Sequence, residues 1–309
     1  MLVIESVSVN IMIPFAIFLC LLSFTAFSAE QKPASQSSST VADAKEITDD
    51  IKANNRNKLI QFGVNFGKDR YTGSFVGLDW GLDPVWQLRV SLGREKNDRI
   101  TSATQFSLGA NARFNEFLYS FVEFNRSREP DSVVSHSVEL GTDVTLQKTV
   151  LGLALRFARY NQDGLRTRIR DGGIPENSIT LKALQNLGES SYVRMAYTKY
   201  AFSGATPAEL SRAISNRPNF SSDLQSVVDG FPKQSTSLGA GTNISQSTAI
   251  DLTVGRVNYA NGLSQHSLSL SPEIELSEST AFALLLSTTR TSDDVKNGLI
   301  GFTISIALE

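Results

Sequence analysis

In residues 85–95, VWQLRVSLGRE, apolar and polar side chains alternate from Trp86 to Gly93. Successive side chains of a β-strand point to opposite sides, so this stretch predicts a strand whose two faces meet different environments. One face carries the apolar side chains and the other the polar ones: Trp86, Leu88, Val90 and Leu92 against Gln87, Arg89, Ser91, Gly93 and Glu95.

The same period of two recurs through the rest of the chain, for example over residues 104–114, 150–157 and 298–308. We predict about 14 strands on this basis. Phe121 and Leu184 interrupt the alternation, and Pro272 would remove a ladder donor from its strand. The predicted strands are 59–67, 72–82, 85–95, 102–114, 117–128, 133–146, 149–161, 178–187, 190–203, 234–244, 248–260, 263–276, 280–291 and 296–308.

The connections between these strands alternate in length. Tight connections fall at residues 82–84, 115–116, 147–148, 188–189, 245–247 and 277–279. The intervening ones are mostly longer and include 162–177 and 204–233. Short turns on one side of a membrane and longer loops on the other are typical of transmembrane barrels. An even strand count also places both termini on one side, which we predict to be the periplasm.

The polar face of the strands is too small and hydrophilic to pack as a protein core. It carries Ser237, Gly239 and Gly241 in one strand and Ser267, Ser269, Glu273 and Glu275 in another. This face must therefore meet water, and the apolar face most simply meets lipid. Every backbone donor and acceptor must be paired in lipid, so only a closed sheet can span it. Beyond the N-terminal region, no run approaches the ~18 apolar residues that a spanning helix needs.

In this architecture residues 59–309 resemble the bacterial outer-membrane β-barrels, without a signature motif that names a family. The resemblance implies an all-β, antiparallel up-and-down transmembrane barrel in the outer membrane of a Gram-negative bacterium. The length is similar to that of monomeric 14-stranded porin-like channels, and we expect a monomer. Outer-membrane assembly machinery is an expected partner, although the chain ends Ile306-Ala307-Leu308-Glu309 where such barrels usually end in an aromatic residue.

The N-terminal region differs from the barrel in composition. Residues 11–22 form an apolar core, and Ala26-Phe27-Ser28 places small residues before a cleavage site, so we predict a signal peptide over 1–28. Residues 29–58 are predicted to be a periplasmic linker. Within it, we expect residues 41–57 to form a short helix that could dock a periplasmic partner, a solvated leader or a plug in the lumen. Cys20 is the only cysteine, so a cleaved chain has no disulfide or thiolate site.

Aromatic and basic residues concentrate near the predicted strand ends. We expect the aromatic residues to form two girdles at the membrane interfaces: Trp80, Trp86, Phe114, Phe117, Tyr192 and Phe282 at the tight turns, and Phe66, Tyr71, Phe124, Tyr160, Tyr200, Phe202 and Tyr259 at the other end. Cations gather at the longer connections, namely Lys68, Arg70, Arg94, Lys96, Arg99, Arg126, Arg128, Arg159, Arg166, Arg168, Arg170, Lys199, Arg256, Arg290 and Lys296. Either they contact lipopolysaccharide phosphates or they are ordinary charged loops.

The predicted lumen face carries charges of both signs. The candidate pore-lining residues are Arg89, Glu95, Arg113, Glu123, Glu139, Asp143, Arg156, Arg194, Asp251 and Glu273. Mixed charge fits a water-filled pore, and it fits equally a set of cross-strand ion pairs that closes the lumen. Residues 204–233 contain a capping box at Thr206–Glu209 and could constrict the barrel mouth or lie on the surface. Candidate constriction residues are Arg166, Arg168, Arg170, Arg212 and Arg217.

Nothing in the sequence predicts catalysis, a cofactor or a metal site. The two histidines, His136 and His266, lie on separate strands and point outward in the predicted register. Outer-membrane phospholipases carry a serine two residues after a lipid-facing histidine, whereas Val138 and Leu268 occupy those positions here. A net charge of −2 gives no long-range argument for nucleic acid.

Two functions fit these observations. The first is a channel that passes small hydrophilic solutes by passive diffusion, with selectivity set by lumen charge and gating by the long outer loops. The second is a non-conducting structural or interaction barrel, such as an adhesin, an assembly factor or a partner in polysaccharide export.

Overall fold

The computed structural model describes residues 58–68, 70–96, 102–128, 133–162, 173–188, 190–203, 232–260 and 262–308. The predicted signal peptide, residues 29–57 of the predicted linker with its possible helix, and the constriction residues Arg166, Arg168, Arg170, Arg212 and Arg217 lie outside this part of the chain. Lys58, the last residue of the predicted linker, is the first residue of a strand.

The described residues form 14 strands, as the period of two predicts. Their bounds are β1 Lys58–Gly67, β2 Thr72–Gly81, β3 Trp86–Lys96, β4 Ala103–Arg113, β5 Leu118–Arg128, β6 Val133–Leu146, β7 Thr149–Gln162, β8 Ile174–Asn186, β9 Ser191–Phe202, β10 Pro232–Ser245, β11 Thr248–Tyr259, β12 Ser264–Ser277, β13 Thr280–Thr291 and β14 Lys296–Leu308.

Each strand pairs antiparallel with its neighbours in sequence, and β1 pairs with β14 to close the barrel. The predicted up-and-down closed barrel is therefore confirmed. Lys58 lies opposite Leu308, so the first and last strands begin and end on the same side. We call this side the turn end, because the tight connections lie there, and the opposite side the loop end. Which end faces the periplasm stays a prediction.

Side-chain chemistry explains why the connections at the turn end are tight. Asp83 Oδ1 accepts hydrogen bonds from the backbone N–H groups of Val85 and Trp86 at 2.7 and 2.8 Å. Asn115 Oδ1 does the same for Phe117 and Leu118 at 2.9 and 2.8 Å. Short Asx side chains replace a missing backbone partner in this way, and they fix the chain reversal.

The strand over residues 178–187 is predicted too short. β8 begins at Ile174, because residues 174–177 continue the ladder with β7, where Tyr160 faces Ile174 and Phe157 faces Asn177. The Gly173 backbone has a φ of 76°, which glycine adopts without a Cβ penalty, and the strand begins directly after it.

Pro272 lies inside β12 despite lacking a backbone N–H. The β12–β13 pairing is interrupted there, stopping at Leu270 and resuming at Glu273. The hydroxyl of Ser271 donates to the backbone oxygen of Leu284 at 3.2 Å, on the strand that faces the proline. A serine hydroxyl thus supplies a donor beside the position where the proline has none.

The apolar residues lie on the outside of the barrel and the polar residues on the inside. Phe62, Leu92, Leu181 and Leu238 are each about half exposed, at 49%, 54%, 54% and 57%. On the opposite face of the same sheet, Ser107, Asn111, Ser137, Asp143, Asp251 and Ser271 are buried. A closed sheet with an apolar exterior and a polar interior is the arrangement of a transmembrane barrel.

The aromatic girdles are confirmed in part. Trp80, Trp86, Phe66 and Phe114 face outward and are 42–56% exposed. The girdle prediction is wrong for four tyrosines, which are only 3–7% exposed and pack on the inner side: Tyr71, Tyr160, Tyr192 and Tyr259. For three of them the hydroxyl group reaches a polar partner inside the barrel: Tyr160 donates to Glu176, Tyr192 to Asp251 and Tyr259 to Gln265. By register Tyr200 and Phe202 also lie on the inner face, opposite Ser178 and Glu176.

Within the described part of the chain, no helix combines the length and the hydropathy needed to cross a membrane.

Candidate functional site in the barrel lumen

All ten predicted lumen residues lie on the inner face, opposite the outward apolar side chains. Their positions follow from the strand register, in which each pairs with another inward residue: Arg89, Glu95, Arg113, Glu123, Glu139, Asp143, Arg156, Arg194, Asp251 and Glu273. That they line a conducting pore stays a prediction. The structure shows how they are arranged.

The most connected group spans β9, β10 and β11. Arg194 Nη2 donates to Asp251 Oδ1 at 2.8 Å, and the Tyr192 hydroxyl donates to Asp251 Oδ2 at 2.6 Å. Thr253 adds a third bond to Asp251 at 2.9 Å. Asp251 is only 3% exposed, so its charge depends on these donors.

Two glycines of β10 make this network possible. A Cβ at Gly241 would lie 2.3 Å from the Tyr192 ring, and a Cβ at Gly239 would lie 2.7 Å from Arg194 Nε. Both side chains therefore lie flat across β10 to reach Asp251 on the next strand. These two glycines of the predicted lumen face therefore lie directly beneath the side chains of an ion-pair network.

A similar arrangement joins β6, β7 and β8. A Cβ at Gly152 would lie 2.1 Å from Asp143 Oδ1 and 3.2 Å from Lys182 Cβ, so the Asp143 carboxylate lies over this glycine and Lys182 stands on its other side. Lys182 also lies 5.5 Å from the centre of the Phe121 ring, a cation–π distance. The Phe121 ring in turn covers Gly141. Phe121 breaks the alternation in sequence because it is an inward residue with a packing role.

Leu184 breaks the alternation for a comparable reason. It packs inside the barrel with Val150 and Tyr192, and the three are 3–7% exposed. This side of the lumen is therefore filled by apolar contacts at the turn end as well as by charges.

Two further ion pairs lie on the inner face. Arg89 Nε donates to Asp79 Oδ1 at 2.8 Å and Nη2 to Oδ2 at 3.3 Å, a bidentate pair between β3 and β2. Arg156 Nη1 lies 3.8 Å from Glu176 Oε1, and the Tyr160 hydroxyl donates to Glu176 Oε2 at 2.6 Å.

Glu176 is the functional candidate that sequence reasoning missed. It is 1% exposed and lies in the part of β8 that the predicted strand did not include. Glu176 continues the spacing of two residues set by Ser178, Thr180 and Lys182, and this spacing is the signal that could have placed it on the lumen face.

At the loop end, Tyr71 and Glu95 lie together inside the barrel, 5% and 8% exposed. Burial, and after it the nearby Glu95 charge, raise the pKa of the Tyr71 phenol well above its usual range. Tyr71 therefore stays a neutral hydroxyl at physiological pH.

Carboxylates outnumber cations on the described inner face. The acids are Asp79, Glu95, Glu123, Glu139, Asp143, Glu176, Asp251, Glu273 and Glu275. The bases are Arg89, Arg113, Arg156, Lys182 and Arg194. Glu123 and Glu139 lie directly opposite each other, a like-charge pair on adjacent strands.

The inner faces of β13, β14 and β1 carry no charged side chain. They present Ala281, Ala283, Leu285, Ser287, Thr289 and Thr291, then Asn297, Leu299, Gly301, Thr303 and Ser305, then Gln61, Gly63 and Asn65. We call this surface the uncharged wall. Ser287 bonds to Ser269 of β12 at 2.9 Å, a neutral contact between small side chains.

The histidines face outward, as predicted. His136 lies in one row with Arg126 and Arg159, and His266 in one row with Arg256 and Arg290. Among the described residues, no group of three or more His, Cys, Asp or Glu side chains is placed to hold a metal ion.

No protein-family model matches the chain, and no curated protein sequence matches it. Solved structures do match its fold. A monoaromatic hydrocarbon channel, CymD, shares 10% identity over 82% of this chain and 89% of its own, with a TM-score of 0.54. A bacterial polysaccharide outer-membrane secretin shares 8% identity over 82% of this chain and 99% of its own, with a TM-score of 0.50. The fold is therefore that of the bacterial outer-membrane β-barrels.

Proposed function

We propose that this protein is an outer-membrane channel that passes small hydrophilic solutes by passive diffusion and prefers cations. One observation carries the proposal: the barrel is closed, apolar outside and polar inside. An interior of serine, threonine, asparagine and charged groups is stable only against water or in complete polar networks. The fold similarity to outer-membrane barrels, one of them a channel, supports the same location.

The preference for cations rests on the excess of carboxylates on the inner face. Asp79 and Asp251 each pair with an arginine, and Glu139 lies between Arg156 on one side and Glu123 on the other. The described inner face still carries more acids than bases, so its net charge is negative. Walls of low dielectric constant focus the field of such charges into the lumen. The local concentration of cations rises there, and that of anions falls.

A structural or partner-binding barrel is the second candidate. The ion pairs across β9–β11, the Phe121 and Tyr192 rings, and the apolar contact of Val150 with Leu184 fill one side of the lumen. If these side chains close the lumen, the same polar groups stabilise a closed barrel through which no solute passes.

Planar-bilayer recording separates the two candidates. The refolded chain is inserted into a bilayer, and current is recorded first in symmetric KCl and then across a KCl gradient. A channel gives discrete, stable steps, and the reversal potential takes the sign of K⁺ permeation. A folded barrel that inserts without conducting would contradict the channel and support the structural alternative.

The double variant Glu123→Gln/Glu139→Gln tests the origin of selectivity. Both substitutions keep side-chain size and remove the like-charge pair. We expect the ratio of K⁺ to Cl⁻ permeability to fall by at least about twofold, since the lumen potential depends on these charges. The matched control is Glu116→Gln/Glu278→Gln, which removes two exposed acids from the turns. Charges exposed to bulk salt are screened within about 10 Å, so the control should change the ratio less. Equal shifts in both variants would refute the assignment.

A further inference from the structure

Three basic side chains form one row across the outside of β5, β6 and β7. Arg126 lies directly opposite His136, and His136 directly opposite Arg159. Residues paired in this way have Cβ atoms about 4.5–5.5 Å apart, so the three heads can converge on one small group. Both arginines are exposed.

The row lies at the border of the apolar exterior that is nearer the loop end. Two residues nearer the turn end on the same three strands lie Phe124, Val138 and Phe157, which also form a row. Val138 and Phe157 are 37% and 51% exposed. A molecule with an anionic head and apolar chains would match both rows at once.

The row carries positive charge without a balancing acid. Among the described residues, no acid forms an ion pair with Arg126 or Arg159. Guanidinium groups form strong charge-assisted hydrogen bonds with anions, so an anion between Arg126 and Arg159 would be stabilising. Arg94 adds positive charge in the next outward row toward the loop end, where it lies opposite Thr104.

A second row of the same composition behaves differently. Arg256, His266 and Arg290 lie opposite one another on β11, β12 and β13. Here Arg290 Nε donates to Asp294 at 2.9 Å, and Arg256 Nε donates to Asn258 at 3.1 Å. The protein itself supplies polar partners for this row, which makes it an internal control.

We propose that Arg126, His136 and Arg159 bind the phosphate of a phosphorylated membrane lipid whose acyl chains pack on Phe124, Val138 and Phe157. Guanidinium groups hold phosphate oxygens bidentately, and two of them on one anion give strong charge-assisted hydrogen bonds. The site is on the outside of the barrel, so it is independent of whether the lumen conducts.

The test measures lipid binding to the refolded full chain in detergent micelles. Native mass spectrometry gives the fraction of protein that carries a bound lipid. The probe is a diphosphorylated glucosamine lipid. The same lipid without phosphates and inorganic phosphate at equal concentration serve as comparisons. Arg126→Gln/Arg159→Gln should weaken binding of the phosphorylated lipid by at least about tenfold, since bonds to charged groups contribute that much. Each single substitution should give a smaller loss in the same direction, and provides the answer if the double variant does not refold.

The control is Arg256→Gln/Arg290→Gln, which removes the same charges from the internally partnered row. It should weaken binding less than the first pair. Equal affinity of the Arg126→Gln/Arg159→Gln protein and the unaltered chain would overturn the proposal. Equal binding of the phosphate-free lipid would also overturn it, as would displacement of the lipid by inorganic phosphate alone.

Discussion

The inner faces of β9–β11 and of the uncharged wall are built on the same backbone and differ in what lies over their glycines. On β10, Gly239 and Gly241 are covered by Arg194 and Tyr192, which reach a buried carboxylate. In the uncharged wall, Gly63 is covered by the neutral ring of Phe75. In both regions, a side chain from the neighbouring strand thus lies across a glycine. Only in the first does a buried charge depend on the crossing.

Filling the glycine positions tests this difference most strongly. Gly241→Val places a side chain where Tyr192 lies and separates the donors from Asp251. We expect a loss of about 3–5 kcal/mol in the free energy of unfolding, because overpacking and the exposure of an unpaired buried charge add. The measurement is urea unfolding of the refolded barrel.

Two matched variants give the scale for that loss. Gly63→Val meets only the Phe75 ring and should cost about 1–3 kcal/mol from overpacking alone. Gly77→Val has its nearest neighbour atom 3.7 Å away and should lie within about 1 kcal/mol of the unaltered protein, with β-propensity acting in its favour. A loss for Gly63→Val as large as that for Gly241→Val would show that sterics, and not the charge, govern both walls.

Removing the charge and keeping the shape gives the next largest effect. Asp251→Asn leaves Arg194 beside a neutral amide in a site where the aspartate side chain is 4% exposed. We expect a loss of about 2–4 kcal/mol in unfolding free energy, since a broken buried pair leaves one charge uncompensated. The corresponding change in the uncharged wall, Ser287→Ala, removes one neutral hydrogen bond and should cost about 1 kcal/mol or less. Similar losses for both would contradict the distinction between the two regions.

Sequence periodicity predicted the barrel itself. The alternation of apolar and polar residues is repeated along the chain, and in each strand it indicates which face meets water. It also placed all ten candidate lumen residues on the inner face. The same alternation also places the tyrosines inward, because Tyr192 is in phase with Arg194 and Tyr160 with Arg156. The girdle prediction failed because it used only the composition at the strand ends. What the sequence does not give is the partner of each hydroxyl group. Tyr192 lies 59 residues from Asp251 in the chain, and no local pattern joins them.

Cross-strand ion pairs were one of the two expectations for the lumen charges, but the pairing of Arg194 with Asp251 was not predicted, for a geometric reason. Arg194 and Asp251 are not on adjacent strands; they meet because β10 between them carries glycine at the facing positions. A search for charges two strands apart, with glycine at both facing positions, would have found this network. The like-charge Glu123–Glu139 pair needed the register between β5 and β6, which the connection at residues 129–132 alone does not fix.

The smallest effect concerns β12, which borders the uncharged wall and tests whether its hydroxyl groups are more than small fillers. Ser271→Ala removes the donor to the Leu284 backbone oxygen beside Pro272. We expect a loss of about 1 kcal/mol, because a buried carbonyl loses its partner. In a Pro272→Val background the restored backbone N–H can bond that oxygen, so the same Ser271→Ala change should cost clearly less. A double-mutant cycle of the unfolding free energies measures the difference. Purely additive losses would mean that Ser271 acts only by its size, and that the hydroxyl does not compensate for the proline.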